Sequence, residues 1–179
     1  HTDVSQDQDV QNISLSNYGG DVYFKSSLSI DYLKAYLGDS LFDKCMQVYF
    51  ENRKFKHPEP DDMKQDFEST SKNDLSWLFN DLMRSNKKID YSICSIKQKD
   101  NKAELTLSNK GEITGPLWIS TLKNGEIIHT EKLEGFSGKK IIEIDHQSGN
   151  VYKIDADRNI PELDRKNNTI RSSGLFKKT

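Results

Sequence analysis

Apolar residues recur at helical spacing up to about residue 88 and alternate at strand spacing beyond it. The first helix is predicted from Val22 to Leu37, with Tyr23, Ile30, Leu33 and Leu37 on one stripe and Gly38 as its stop. A second follows from Leu41 to Arg53, with Ser40 as N-cap, Asp43 in its first turn, and an apolar face of Leu41, Phe42, Cys45, Met46, Val48 and Tyr49. So short a link predicts a helical hairpin. Pro58 and Pro60 then impose an extended connection. Asp61 or Asp62 is predicted to cap a third helix reaching about Glu68, since Asp62 and Gln65 have capping-box spacing. In the fourth helix Ser71 and Asp74 show the same spacing, and Leu75, Leu78, Phe79 and Leu82 fall at i, i+3, i+4 and i+7.

From Ile89 onward the segments "DYSICSIKQ" and "AELTLSN" alternate about a "DNK" turn, and "LWISTLK" and "IIHTEKLE" form a hairpin over Asn124-Gly125. "KKIIEID" and "VYKIDAD" add two strands joined through "HQSGN". About six short strands with no helix between them predict a small antiparallel β-sandwich. The fold class is therefore α+β: a four-helix N-terminal subdomain, then an immunoglobulin-like sandwich. The expected divisions are a polar segment over 1–17, helices over 18–87, the sandwich over 88–157 and a basic extended tail over 158–179.

Composition narrows the function classes. A formal net charge of −2 argues against a broad nucleic-acid surface. Arg165 to Thr179 holds five basic residues and no acidic one, which reads as a solvated tail. The apolar runs are a few residues each, far short of the ~20 that span a bilayer, and the polar opening "HTDVSQDQDVQNISLSN" does not resemble a signal peptide. Cys45 on a helix face and Cys94 in a strand read as buried free thiols rather than a disulfide framework.

Most catalytic chemistry is absent from the sequence. His1, His57, His129 and His146 form neither HExxH nor any i, i+4 pair, and each reads as solvent-facing. There is no CxxC, no GxSxG elbow and no GxxxxGK[ST] loop. The Asp61-Asp62 and Glu162/Asp164 pairs read as caps and a solvated loop. What remains is "YGGDVYFK", Tyr18 to Lys25. By periodicity alone Tyr23 is a packing residue that shares a face with Ile30, Leu33 and Leu37, its hydroxyl hydrogen-bonded.

The order of features along the chain points further. Tyr23-Phe24-Lys25 leads into "DYLKAYLGDSLF", then "KFKHPEPDD", then "DLSWLF". Over residues 18 to 83 this order and spacing resemble the aminopeptidase N family of zinc metallopeptidases, the gluzincin group that includes leukotriene hydrolase. The resemblance is to the segment after that family's zinc site, the C-terminal lobe of a thermolysin-like catalytic domain. The later strands are similar to the small sandwich that follows it, and "IPELDRKNNTIR" to a segment seen after that sandwich in some bacterial relatives.

The resemblance implies that Tyr23 donates its phenolic hydrogen to the oxyanion of the tetrahedral intermediate, and that Tyr18 stands beside the substrate. A fixed neutral donor about 3 Å from that oxygen stabilises the transition state by roughly 3–4 kcal/mol. The family's HExxH and its glutamate ligand belong upstream of Tyr18, and nothing in the first 17 residues supplies them. The chain is thus expected to be part of a larger zinc aminopeptidase. It should hold no metal ligand of its own and be inactive alone, with zinc and the peptide substrate belonging to the parent. The remainder of the catalytic domain would be its partner, with self-association through an apolar helical face near Tyr18 and Tyr23. The competing reading is a non-catalytic binding or scaffold module built on the sandwich, and a third is a peptidase relative that has lost its activity.

Overall fold

The computed structural model describes residues 25–162 and 164–172. The chain divides into two compact units between Lys87 and Lys88. The first holds helices α1 (Ser26–Leu37), α2 (Asp39–Arg53) and α3 (Pro60–Ser71), then a π-helical segment, Trp77–Met83. No helix among the described residues is long and apolar enough to cross a membrane.

Gly38 is the entire link between α1 and α2. Its φ of 78° is open to glycine at little cost, and its N–H closes α1 on Lys34 O at 2.8 Å. The N-cap of α2 is therefore Gly38, two residues ahead of the expected Ser40. The capping box of α3 also lies a turn early, pairing Glu59 with Asp62 rather than Asp62 with Gln65. Pro60 explains the shift: its fixed φ and missing N–H suit the first position of a helix. The expected Ser71–Asp74 cap does not form, because α3 runs on through Ser71 and stops on Lys72 in the left-handed conformation. Leu75, Leu78, Phe79 and Leu82 are buried as the periodicity requires, although the winding from Trp77 is π rather than α.

Tyr32, Leu33, Phe42, Cys45 and Phe67 complete this core. Tyr32 and Tyr36 pack on Trp77 at ring distances of 4.7 and 5.7 Å, which fastens α1 to the π segment. Arg53 joins α2 to α3 through Asp62 at 2.8 Å and Asp66 at 2.9 Å.

Among the described residues the second unit is a sandwich of seven strands. One sheet has the order β1 (Tyr91–Lys99), β2 (Lys102–Asn109), β5 (Gly138–Asp145). The other has the order β4 (Glu126–Leu133), β3 (Leu117–Lys123), β6 (Val151–Ile154), β7 (Thr169–Arg171). All strand pairs are antiparallel, and the chain changes sheet after β2, β4 and β5. This is the crossover pattern of an immunoglobulin-like sandwich. Alternate residues Ala103, Leu105 and Leu107 of β2 and Leu117 and Ile119 of β3 fill its core. Asn124 and Gly125, at φ of 53° and 91°, make the predicted β3–β4 turn, which needs two positive φ angles in succession.

Two bulges alter what alternation predicts. Between Ile93 and Ser95 the register slips, so Cys94 has no partner in β2 and is exposed. Only Cys45 is the buried thiol expected of both. Between Thr121 and Leu122 a second slip leaves Ile128 of β4 as the extra residue, and Ile127 and Ile128 are both exposed.

Residues 158–172 are not an extended tail. Ile160 is fully buried, and Thr169–Arg171 adds strand β7 to β6. Asp155 holds the turn that starts this strap. Its carboxylate accepts the N–H groups of Asn159 at 2.8 Å and Ile160 at 3.0 Å, and Arg165 Nη1 at 2.7 Å. The basic residue read as solvated is thus partly spent on a buried carboxylate.

Candidate functional site

Tyr18 and Tyr23 lie outside the described residues, as does the apolar face expected near them. The helix that follows Tyr23 in sequence, α1, has Lys25 as its N-cap residue; Lys25 Nζ reaches Ser85 O at 3.5 Å and its carbonyl accepts Ser29 Oγ at 2.8 Å. Ser29, Tyr32 and Leu33 are buried, whereas Ile30 and Leu37 of the predicted stripe are half-exposed. The buried face is rotated toward Tyr32, whose ring packs 4.7 Å from that of Trp77.

The remaining candidates separate cleanly. His57 and His129 are exposed, but His146 is buried, contrary to the solvent-facing reading. Its Nδ1 lies 2.8 Å from the Tyr152 hydroxyl, which donates to Asp145 O at 3.3 Å. Asp61 pairs with Arg84 at 2.6 Å, and Arg84 holds its carboxyl below the usual range. Among the described residues no group of three or more His, Cys, Asp or Glu is placed to hold a metal ion.

Glu162 is a correction to the solvated-loop reading. It is half-buried and accepts the Tyr91 N–H at 2.6 Å and a bond from Asn168 Nδ2. Burial pushes its carboxyl up to about 7, against these two donors. A cavity of about 150 Å³ adjoins this strap, lined by Asp155, Arg165 and Asn168 among others.

A larger cleft of about 590 Å³ lies where the β4 and β5 sides of the sandwich meet the loop after β5. Thr121, His129, Glu131, Glu143, Asp145 and Asn150 are among its walls. Sequence motifs do not mark Thr121 or Asn150, although Thr121 is in phase with buried Ile119 along β3. A hydroxyl at an inward strand position is the signal that points to it.

No family model matches the chain, and no curated protein matches it by sequence. Solved structures do. The chain is similar to aminopeptidase A of Legionella pneumophila, a structure in complex with aspartic acid. The TM-score is 0.71 at 14% identity, over 82% of this chain and 18% of that one. The chain shares its fold with part of that protein. Weaker likenesses are to a β-glucuronidase of Ruminococcus gnavus, with TM-score 0.28, 12% identity, and 50% and 16% of the two chains covered. A β-glucosidase of Kluyveromyces marxianus gives 0.30 at 14% identity, over 51% and 15%. At those scores they carry no argument. The chain therefore spans less than a fifth of the length of the aminopeptidase it matches, since it covers 18% of it.

Proposed function

We propose that this chain is part of a zinc-dependent aminopeptidase of the aminopeptidase N type. In the intact protein it supplies Tyr23 as the oxyanion donor and Tyr18 as a substrate-side residue. The likeness to the Legionella aminopeptidase over 82% of the chain is the observation that carries this reading. The ordered motifs from Tyr18 to Met83 support it independently.

The described residues do not fit a catalytic zinc, since they bring together no set of three suitable side chains. The reading assigns the metal and its ligands to the remainder of the parent. What this chain contributes is a support. The helix that follows Tyr23 is fixed at its start by the Lys25–Ser85 contact and along its length by Tyr32 and Tyr36 against Trp77.

Met46, Phe50 and Phe55 are exposed on the helical unit, Phe55 completely. The reading has the remainder of the catalytic domain cover such apolar surface, and a second copy cover it when the chain is alone.

In the parent enzyme, Tyr23→Phe should lower kcat by orders of magnitude with little change in KM, because the donor acts mainly in the transition state. An unchanged kcat would remove Tyr23 from the mechanism. A parent gene with no HExxH upstream of residue 1 would overturn the peptidase reading itself.

A further inference from the structure

The strap after β6 is anchored unevenly. Its first turn, Asp155 to Ile160, is built on a buried carboxylate and a fully buried isoleucine. The chain that follows has no such anchor. Among the described residues from Glu162 to Ser172, Asn168 alone is buried, and its side chain is polar. β7 has three residues and is the terminal strand of its sheet. A segment that buries so little apolar surface opens locally at low cost.

What holds it is a polar seam that crosses from one sheet to the other. Asn167 O accepts the Ile93 N–H of β1 at 3.1 Å, and Asn168 O accepts the Ile154 N–H of β6 at 2.8 Å. Glu162 stands at the head of this seam, bridged to Ile89. One carboxyl oxygen takes the Tyr91 N–H at 2.6 Å, and the other takes Asn168 Nδ2. A single carboxyl thus joins β1 to the residue whose backbone holds β6.

The protonation of that carboxyl decides how well the seam closes. Asp155, at the end of β6, disfavours a second negative charge here. Arg165 opposes this, but its Nη1 is already on Asp155 at 2.7 Å. Asp90 and Asp164 both meet the Asn167 amide at 3.4 Å, and Lys153 and Arg158 line the small cavity beside Asn168. A neutral carboxyl still accepts the Tyr91 N–H through its carbonyl oxygen. Its proton can go to Asn168 Oδ1, which has no hydrogen-bond partner, once that amide turns. An ionised carboxyl keeps two donors but is cut off from water, and burial outweighs the donors. Opening the segment returns it to water.

We infer that residues 164–172 form a proton-operated closure: they lie shut across the two sheets while Glu162 is neutral, and open locally far more often once it ionises, with the rest of the sandwich intact. The inference draws on the sandwich alone and is independent of the assignment of Tyr23.

The test is amide hydrogen exchange of the full 179-residue chain from about pH 5 to 8, each rate corrected for the intrinsic pH dependence of exchange. Ile93 and Ile154 are the reporters, because their N–H groups bond to the segment and not to Glu162. Protection of both should fall about tenfold per pH unit up to about pH 7 and level off above it. Both should remain about tenfold or more below the amides of the β2–β5 ladder, and their exchange should hardly respond to low urea, the mark of an opening that exposes little surface. In Glu162→Gln, which keeps the seam neutral, the fall should vanish. Protection equal to that of the β2–β5 ladder would mean that the segment leaves only when the whole sandwich unfolds, and would overturn the inference. So would protection that stays flat with pH in the wild type, a fall that survives in the variant, or a response at one reporter without the other.

Discussion

Arg165 sets Nη1 2.7 Å from Oδ2 of Asp155, a carboxylate whose side chain is 1% exposed. This contact converts a run of polar residues after β6 into a folded strap. Asp155→Ala leaves the N–H groups of Asn159 and Ile160 and the Arg165 guanidinium without their shared acceptor. It should cost about 3–5 kcal/mol. Arg165→Met keeps the two backbone donors satisfied and should cost less. Urea unfolding of both variants, followed by the near-ultraviolet signal of the sandwich, checks the order. Equal losses would show that the ion pair, not the turn, dominates.

The strap also carries a pH dependence. The Glu162 carboxyl is raised from 4.5 to about 7 in the folded protein by burial. The folded state therefore binds more protons than the unfolded one between these values, and its stability falls as pH rises through that window. Glu162→Gln should flatten the slope between about pH 4.5 and 7. The difference between wild type and variant isolates this group from the other carboxylates. A wild-type slope that survives the substitution would assign the effect elsewhere.

The helical unit should respond with the opposite sign. Arg53, with a second bond from Asn52, holds the Asp66 carboxyl below its usual range. A depressed folded value gives stability that is present above the unfolded value of 3.8 and lost as pH falls below it. Asp66→Asn should remove that acid sensitivity and cost about 1–2 kcal/mol at neutral pH. Helical circular dichroism against pH provides the measurement. An acid transition that does not move would exclude Asp66 as its cause.

Gly135 has no room for a side chain. A Cβ placed there would lie 1.8 Å from Thr114 O, a backbone atom that cannot turn away. Gly135→Ala should destabilise the sandwich by about 3 kcal/mol. Gly125→Ala, with nothing within 4 Å of its Cβ, meets only the cost of its φ and should lose about 1 kcal/mol. Thermal unfolding of the two variants side by side separates steric from conformational cost.

The two thiols should differ in reactivity on the native protein. Cys94 is exposed, while Cys45 is fully buried and burial raises its thiol above the usual range. One equivalent of an aromatic disulfide reagent should react rapidly and the second only on unfolding. Two fast equivalents would mean that the α2 face opens readily.

How much of this is legible in the chain depends on where the physics is local. The periodic residues Leu75, Leu78, Phe79 and Leu82 are buried as their spacing requires, and Asn124-Gly125 makes the turn that its composition demands. Helix limits slip where one residue overrules a pattern, as Pro60 does for the α3 cap. Cys94 departs from its expected burial because a bulge breaks the two-residue period, and no spacing rule announces a bulge. Strand β7 has three residues, too few to show alternation. The cleft is invisible in the sequence because Thr121 and Asn150 are 29 positions apart by their numbers, and only the sandwich brings them to one wall. The proposal for Tyr23 has a different basis. It rests on the order of the neighbouring motifs alone, since Tyr23 lies outside the described residues.

The bond from the Tyr91 N–H to Glu162 joins residues 71 apart, and Asn167 O reaches back to Ile93 N in the same strand. The first strand of the sandwich is thus completed by a segment made about 70 residues after it. During synthesis β1 and β2 can pair early, but β1 keeps unmet donors until the strap has left the ribosome. Loops of that length close slowly. The sandwich should therefore fold well after the helices, and a ribosome-stalled chain ending before residue 162 should be cut by protease within the strands while its helical half resists.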